Sequence, residues 1–281
     1  MSNPISGSEE REYVLGTHDE EIDRLGLQHR AWRAQAYELW DIAGFGPGQT
    51  ILDVGSGPGF ASMDLAPIVG PTGRILAFDQ SRRFVDHLVA TRKAVGLDWI
   101  EVLESDVQEL PVPAGTAHGA YCRWVLSFVP DAEKVVAAVA QALRPGGVFA
   151  LQEYVYYRGA QIVPPDPICE TIFNAVDRSW RRMGSDPDAA GRLPALLEKH
   201  GLAVTLLRPL NRLGRPGTML WEWPTAFFRN FLPILEQQGE ITTAERETFG
   251  RLWERRSADP HAFFLTPPMV EIVAVKRAVS S

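Results

Sequence analysis

The chain has 281 residues, of which 45% are hydrophobic and 22% charged, as expected for a globular protein with one large domain or a core with an elaboration. Its formal net charge is -7 and no long basic run interrupts it, which argues against nucleic acid, because phosphate contacts need a concentrated cationic face. Neither Cys122 nor Cys169 belongs to a Cys-x-x-Cys pair, so neither a zinc site nor a disulfide framework is indicated.

The first 44 residues are predicted to form an N-terminal helical segment. Residues 1–18 are rich in Ser, Gly and Glu, so we expect partial mobility there. Met1–Gly16 lacks a signal-type apolar core and no apolar run in the sequence is long enough to span a bilayer, so we expect a cytoplasmic protein. A helix is predicted from Asp19 to Ala43, because apolar residues recur there at steps of three and four. That spacing places His29 on or beside the apolar stripe.

The stretch Ile51–Phe60 reads Ile-Leu-Asp-Val-Gly-Ser-Gly-Pro-Gly-Phe. It predicts a buried strand that ends in a glycine-rich turn, followed at once by a helix over Phe60–Val69. Strand, glycine turn and helix together open a nucleotide-binding β-α-β unit. Asp53 lies inside the strand, two residues before the first glycine.

Further strands and helices alternate after this unit. Strands are predicted over Arg74–Asp79, Trp99–Leu103, Ala117–Val129 and Val148–Val155. Ser81 is expected to cap a helix that turns Phe84, Val85, Leu88 and Val89 inward, and Asp131 a helix that runs to Leu143. This alternation predicts an α/β fold with a parallel sheet and helices on both faces.

Polar and glycine residues gather where these strands end. Because ligands bind beyond the carboxyl ends of parallel strands, we expect the site at that edge. The segments that converge there are Gly55–Gly59, Asp79, Asp106, Arg123–Ser127 and Glu153–Tyr157.

Residues 156–281 are predicted to hold the last two strands and a helical cap. A loop over Tyr156–Pro167 precedes helices at Asp166–Met183 and Leu193–His200, and Thr242 and Glu245 form a capping box that opens a helix over Thr243–Arg256. The strands are placed at Leu202–Leu210 and Met269–Lys276. Two insertions, at about 160–186 and 214–262, carry aromatic residues: Trp180, Trp221, Trp223, Phe227, Phe228, Phe231 and Trp253.

The pattern Asp-x-Gly-x-Gly-x-Gly, which begins at Asp53, resembles motif I of the class I S-adenosylmethionine (SAM) dependent methyltransferases. The resemblance is clearest over residues 45–155, and Leu143-Arg-Pro-Gly-Gly147 also resembles a family signature. It implies a Rossmann-like three-layer sandwich with a mostly parallel seven-stranded sheet, the last strand antiparallel beside the sixth, and an inserted helical cap. Residues 45–155 would form the SAM-binding core.

The resemblance also implies contacts with SAM. The methionine portion would be bordered by Gly55, Gly57 and Gly59. Asp79 would hold the ribose, and Asp106, with Val107 beside it, would meet the adenine. Asp53, Ser56 and Gln80 are further cofactor-binding candidates. Arg123 departs from the family pattern, and could pair with a carboxylate of SAM, with one of a substrate, or with a structural carboxylate.

Methyl transfer needs alignment and a dry pocket, and a base only when the acceptor must lose a proton. The catalytic candidates are His29, Glu153 and Tyr154. His29 could instead be a packed helix histidine, and Glu153 a structural partner of Arg123 or Arg158. The histidines show no metal-ligand spacing, so no metal is expected.

The aromatic insertions suggest a small, apolar or aromatic acceptor. Two other readings stay open: a non-catalytic SAM-binding or interaction protein, and a nicotinamide-dependent oxidoreductase that uses the glycine loop for a pyrophosphate. The sequence leaves the oligomeric state open.

Overall fold

The computed structural model describes residues 19–278. The mobility expected for residues 1–18 concerns a segment outside the described residues. The helices are α1 (Asp19–Ile42), α2 (Phe60–Val69), α3 (Arg82–Ala94), α4 (Ala132–Ala142), α5 (Pro167–Arg182), α6 (Leu193–Lys199), α7 (Met219–Gln237) and α8 (Thr243–Ser257). The strands are β1 (Thr50–Val54), β2 (Arg74–Asp79), β3 (Ile100–Glu104), β4 (Ala117–Arg123), β5 (Leu143–Tyr154), β6 (Gln161–Val163), β7 (Leu202–Leu210), β8 (Leu213–Gly214), β9 (Phe263–Leu265) and β10 (Met269–Lys276).

The central sheet of the described chain has seven strands in the order β3-β2-β1-β4-β5-β10-β7. Strands β1 to β5 pair in parallel, whereas β10 runs antiparallel to both of its neighbours, β5 and β7. The predicted mostly parallel sheet with a late antiparallel pair is confirmed. The order changes direction at β1, which places the glycine turn at a switch point of the sheet.

Helices cover both faces of this sheet. Trp40 of α1, Leu65 of α2 and Leu88 of α3 share one buried cluster with residues of the strands. Val139 of α4 and Leu197 of α6 belong to a second cluster, which includes the other face of the strands. The result is the predicted three-layer sandwich, with burial of apolar surface on both sides of the sheet as its main driving force.

Several local predictions are confirmed by hydrogen bonds. The Ser81 hydroxyl accepts from the backbone N–H of Phe84, and the Asp131 carboxylate accepts from two N–H groups at the start of α4. Thr242 and Glu245 form the predicted capping box of α8. Val89, however, is 38% exposed, because the buried face of α3 is formed by Phe84, Val85 and Leu88.

The ends of two strands differ from the prediction. Strand β4 ends at Arg123 and not at Val129, because Trp124 takes a left-handed conformation (φ 55°) that begins a turn. Strand β5 begins at Leu143, which pairs with Ala117 ahead of the predicted start at Val148.

The cap is built from α5, α7 and α8 around a core of aromatic side chains. Trp221 of α7 stacks on Trp253 of α8 with ring centroids 4.8 Å apart, and Phe231 is fully buried. The predicted loop Tyr156–Pro167 contains β6, which joins β9 and β8 in a small antiparallel sheet. Sequence analysis missed this sheet, because its strands are short and lie far apart in the chain.

Candidate functional site

A cavity of about 710 Å³ opens at the carboxyl ends of β1, β2 and β4. It lies where the sequence predicts the site, because parallel strands deliver their ends to one edge. Among the predicted site residues, those that line it are His29, Asp53, Gly55, Ser56, Gly57, Asp79, Gln80, Asp106, Val107 and Arg123.

Asp79 ties the glycine turn to the end of β2. Its carboxylate oxygens accept from the backbone N–H of Gly57 at 2.8 Å and from that of Ser81 at 2.9 Å. Burial raises the pKa of Asp79 to about 6, although these two hydrogen bonds favour the charged form. A carboxylate so placed can accept further hydrogen bonds from ligand hydroxyls.

Gly55 and Gly59 are required by close packing. A Cβ on Gly55 (φ 70°) would lie 2.4 Å from Cγ2 of Val125, and one on Gly59 (φ 89°) would lie 2.2 Å from Cδ1 of Leu88. Gly59 therefore lets α2 begin against α3, and it does not line the cavity.

Asp53 is 2% exposed and accepts a hydrogen bond from the Ser62 hydroxyl of α2. Burial raises the pKa of Asp53 to about 6, while Ser62 and the nearby Arg123 oppose the rise. Arg123, the one arginine or lysine among the described residues that line the cavity, thus lies beside this buried carboxyl group.

His29 connects α1 with α2 and β4. Its Nε2 lies 2.9 Å from Oδ2 of Asp64, and its Nδ1 lies 2.9 Å from Nη2 of Arg123. A guanidinium group can only donate, so Nδ1 accepts and Nε2 carries the proton that is donated to Asp64. Burial, and secondarily Arg123, lower the pKa of His29, which favours this neutral form.

Asp64 also accepts two hydrogen bonds from Arg33, at 2.6 and 2.7 Å. Burial opposes its ionisation, but the hydrogen bonds from His29 and Arg33 lower the pKa of Asp64 to about 2. Both ring nitrogens of His29 are thus engaged, one of them by a permanent anion.

Glu153 lines neither this cavity nor the aromatic one described below. Its Oε1 accepts from the backbone N–H groups of Val125 and Leu126 at 2.7 and 2.8 Å, and its Oε2 from the Ser127 hydroxyl at 3.0 Å. Burial raises the pKa of Glu153 to about 7. The carboxyl group holds the turn after β4, and neither of the arginines considered from the sequence pairs with it: Arg123 contacts His29, and Arg158 lies 3.9 Å from Asp177.

A second, narrow cavity of about 40 Å³ adjoins the first and shares Gln28, Trp124 and Phe128 with it. Tyr154 lines this aromatic cavity, together with residues of α5 and α7. Trp124 forms the partition: its ring stacks on Tyr154 and on Trp223, with centroid distances of 5.8 and 5.9 Å. Trp124, with its positive φ, is thus a point of contact between the sheet edge and the cap.

Sequence analysis did not single out Gln28, Asp64 or Phe128. Gln28 accepts from the indole N–H of Trp223 at 2.9 Å and so joins α1 to the cap. Phe128 was assigned to the predicted fourth strand as an apolar residue, whereas Trp124 lies in the segment Arg123–Ser127 that was expected at this edge. Asp64 carries no local signal, because its partner His29 is 35 residues away.

Among residues 19–278, no group of three or more His, Cys, Asp or Glu side chains is placed to hold a metal ion. None of the helices in that range is long and apolar enough to cross a membrane.

Comparison with known proteins identifies the family of the sheet region. Residues 52–151 match the family model described as a methyltransferase domain. The demethylmenaquinone methyltransferase of Bacillus cytotoxicus is 30% identical over 120 residues, which cover 43% of this chain and 49% of that protein. The chain spans about half or less of the length of the curated relatives that it matches first.

Solved structures of low sequence identity share the fold. The YcgJ protein of Bacillus subtilis has a TM-score of 0.63 at 18% identity, over 88% of this chain and 100% of that one. The geranyl diphosphate C-methyltransferase of Streptomyces coelicolor A3(2), solved with Mg²⁺, geranyl diphosphate and S-adenosyl-L-homocysteine, has a TM-score of 0.57 at 16% identity. That match covers 92% of this chain and 86% of that one.

Proposed function

We propose, from the premise that residues 52–151 are a class I SAM-dependent methyltransferase domain, that this protein transfers a methyl group from SAM to a small apolar or aromatic molecule. The observation that carries the proposal is the junction of two cavities at Trp124, Phe128 and Gln28. One cavity offers polar groups suited to a nucleoside, and the other offers aromatic walls. A cofactor and its acceptor would meet at that junction.

The residues of the large cavity suit SAM. Asp79 and Gln80 would accept from and orient the ribose hydroxyls, and Asp106 and Val107 would face the adenine. The glycine turn, with Ser56 and Asp53, would border the methionine portion. When bound, SAM supplies an electrophilic methyl group on a positively charged sulfur. Residues 45–155 would thus form the cofactor-binding core, with the cap over its carboxyl edge.

The aromatic cavity suits an acceptor that carries an oxygen atom. The indole N–H groups of Trp124 and Trp180 are buried and have no hydrogen-bond acceptor in the described part of the chain. Buried donors of this kind favour a ligand that pairs with them. A hydroquinone, an acidic phenol or a similar electron-rich molecule offers both an apolar ring and such an oxygen, and one curated relative is named as a demethylmenaquinone methyltransferase.

The cavity must widen before an acceptor binds. Its 40 Å³ exceed what a single water needs but fall far below the volumes of about 300–1,000 Å³ that are typical of ligand pockets. Residues of α5 and α7 form much of its wall, so we expect the cap to move on binding. Closure of the cap over the bound acceptor would then exclude water from the transfer step.

The catalytic candidates take different roles in this proposal. Tyr154 would orient the acceptor, because it lines the aromatic cavity. Glu153 would hold the turn that carries Trp124. His29 would act through Arg123, as argued in the next subsection. No base is assigned, so acceptors that arrive as anions or as strong nucleophiles fit best.

The acidic chain favours a small molecule over nucleic acid as acceptor. We also propose a cytoplasmic location, where the buried free thiols of Cys122 and Cys169 would stay reduced.

The test is titration calorimetry with SAM, S-adenosylhomocysteine and NADH, followed by a screen of hydroquinone and acidic phenol acceptors for methyl transfer by mass spectrometry. We expect SAM and S-adenosylhomocysteine to bind, NADH not to bind, and at least one acceptor to gain a methyl group. Binding of NADH alone would overturn the cofactor assignment. Binding of SAM without any turnover would favour the non-catalytic alternative.

A further inference from the structure

We propose that Arg123 binds the amino-acid carboxylate of the cofactor and that the Asp64–His29 pair positions Arg123 for this task. The inference rests on the proposed function, since it concerns the same cavity. It assigns His29 a positioning role in place of the general base considered from the sequence. The evidence is the geometry of three side chains from α1, α2 and β4.

The first observation is a buried donor without a partner. Nη1 of Arg123 is shielded from solvent and has no hydrogen-bond acceptor among the described residues, whereas Nη2 donates to His29. The guanidinium also lies over the ring of Trp124, 4.9 Å from its centroid. A partly buried guanidinium with one unpaired nitrogen, Nη1, is suited to bind a carboxylate or phosphate oxygen.

The second observation is the charge of the cavity. Asp53, Asp79 and Asp106 all line it, and Arg123 is the one arginine or lysine among its described lining residues. Among these lining side chains, Arg123 therefore offers a ligand carboxylate the one full positive charge. That position is also next to the glycine turn, because Tyr121 of β4 pairs with Asp53 of β1 two residues before Arg123.

The third observation explains how Arg123 is held. Neutral His29 accepts from Nη2 of Arg123 and donates to Asp64, whose carboxylate is clamped from the other side by Arg33. This series of hydrogen bonds, from Asp64 through His29 to Arg123, is called the relay below. It turns Nη2 of the guanidinium toward α1 and leaves Nη1 for a ligand. If His29 were protonated, its Nδ1–H would face the Nη2–H of Arg123 and two cations would be in contact. The hydrogen bond between them therefore forms only while His29 is neutral.

The test uses two ligands, of which one has the amino-acid carboxylate and the other lacks it. S-adenosylhomocysteine has the amino-acid carboxylate, whereas 5′-methylthioadenosine keeps the adenosine and the thioether without the amino acid. Calorimetry would measure both with the full-length wild type, Arg123→Met, His29→Phe and His29→Gln. The exposed arginine of α3 supplies the matched control, Arg82→Met.

We expect Arg123→Met to weaken S-adenosylhomocysteine by about 10- to 100-fold, the usual effect of losing a hydrogen bond between charged groups, and to leave 5′-methylthioadenosine within about twofold. His29→Phe should act in the same direction. His29→Gln should restore most of the affinity, because its amide oxygen can accept from Arg123. Arg82→Met should change neither ligand.

The pH dependence supplies a readout that a merely structural histidine would not move. The charged groups that face His29 are Asp64 on α2, Arg33 on α1 and Arg123 on β4. On acidification, the affinity for S-adenosylhomocysteine divided by that for 5′-methylthioadenosine should fall in the wild type as His29 takes up a proton, and should fall less in His29→Gln. Both ligands carry the ribose, so protonation of Asp79 affects both affinities and leaves their ratio unchanged. Any pH dependence of the ratio that remains in His29→Gln is assigned to Asp53.

An equal loss of both ligands in Arg123→Met, or no loss of either, would overturn the inference while leaving the proposed cofactor intact. Failure of the wild type to bind either ligand would overturn the proposed function as well. Full affinity in His29→Phe would show that Arg123 needs no relay and would refute the positioning role.

Discussion

The ribose assignment is tested by Asp79→Asn, a change that removes the charge and keeps the shape. In the structure both Asp79 oxygens already accept a backbone N–H, from Gly57 and from Ser81. An asparagine can accept only one of these, and its NH₂ group must face the other. The lost pairing should cost about 1–3 kcal/mol of folding free energy.

The same substitution also removes the unfavourable free energy of ionising a buried carboxyl group. The pKa of Asp79 rises from 3.8 to about 6, so its ionisation at pH 7 disfavours the unliganded fold by about 3 kcal/mol, at about 1.4 kcal/mol per pKa unit. The two effects oppose each other, and the free energy of unfolding of Asp79→Asn should stay within about 2 kcal/mol of the wild type at pH 7. Ligand binding has no such compensation, because hydroxyl donors favour the charged carboxylate.

We therefore expect Asp79→Asn to fold and to bind S-adenosylhomocysteine more weakly by about 1.5–3 kcal/mol, which corresponds to about 10- to 150-fold. The assay is calorimetry at pH 7, with Asp86→Asn as the matched control, because Asp86 is an exposed carboxylate on α3. In the wild type, affinity should also fall as the pH drops below about 6, where Asp79 takes up a proton. A folded Asp79→Asn protein with unchanged affinity would refute the ribose assignment.

Other variants test the turn, the glycine loop and the aromatic cavity. Because burial raises the pKa of Glu153 from 4.5 to about 7, the wild type should lose about 3 kcal/mol of stability as the pH rises through that window. In Glu153→Gln the amide oxygen can accept from the backbone N–H of Val125 and the amide NH₂ can donate to the Ser127 hydroxyl. In thermal unfolding this variant should be more stable than the wild type at pH 8 but not at pH 5. Gly57 and Gly59 both have positive φ, so an alanine strains the backbone at either position. Gly59→Ala should cost about 1–3 kcal/mol more stability than Gly57→Ala in denaturant unfolding, because the Cβ at residue 59 would meet Leu88 whereas the one at residue 57 faces open space; Gly57→Ala should also weaken cofactor binding. Equal losses of stability in the two variants would contradict the packing role. Trp180→Phe should lower kcat/KM for oxygen-bearing acceptors about fivefold, the value of one neutral hydrogen bond, and leave cofactor affinity unchanged; unaltered acceptor kinetics would exclude its indole N–H as a donor to the acceptor.

The sequence by itself determined the part of the fold that local patterns encode. The predicted bounds of α2, β2, β7 and β10 coincide with those of the structure. Each is rich in apolar residues and is bordered by turn residues, and glycines with positive φ lie between such segments where the backbone must turn. Because parallel strands end at one edge, the sequence also located the large cavity and ten of the residues that line it.

Only the tertiary structure decided what the polar residues of the site do. His29 meets Asp64 across 35 positions and Arg123 across 94, so no local spacing signals the relay that keeps both its nitrogens occupied. Glu153 likewise serves a turn 26 to 28 residues away. A side chain becomes a base, a structural acceptor or a positioning group through the partners that reach it, and chain folding alone brings those partners together.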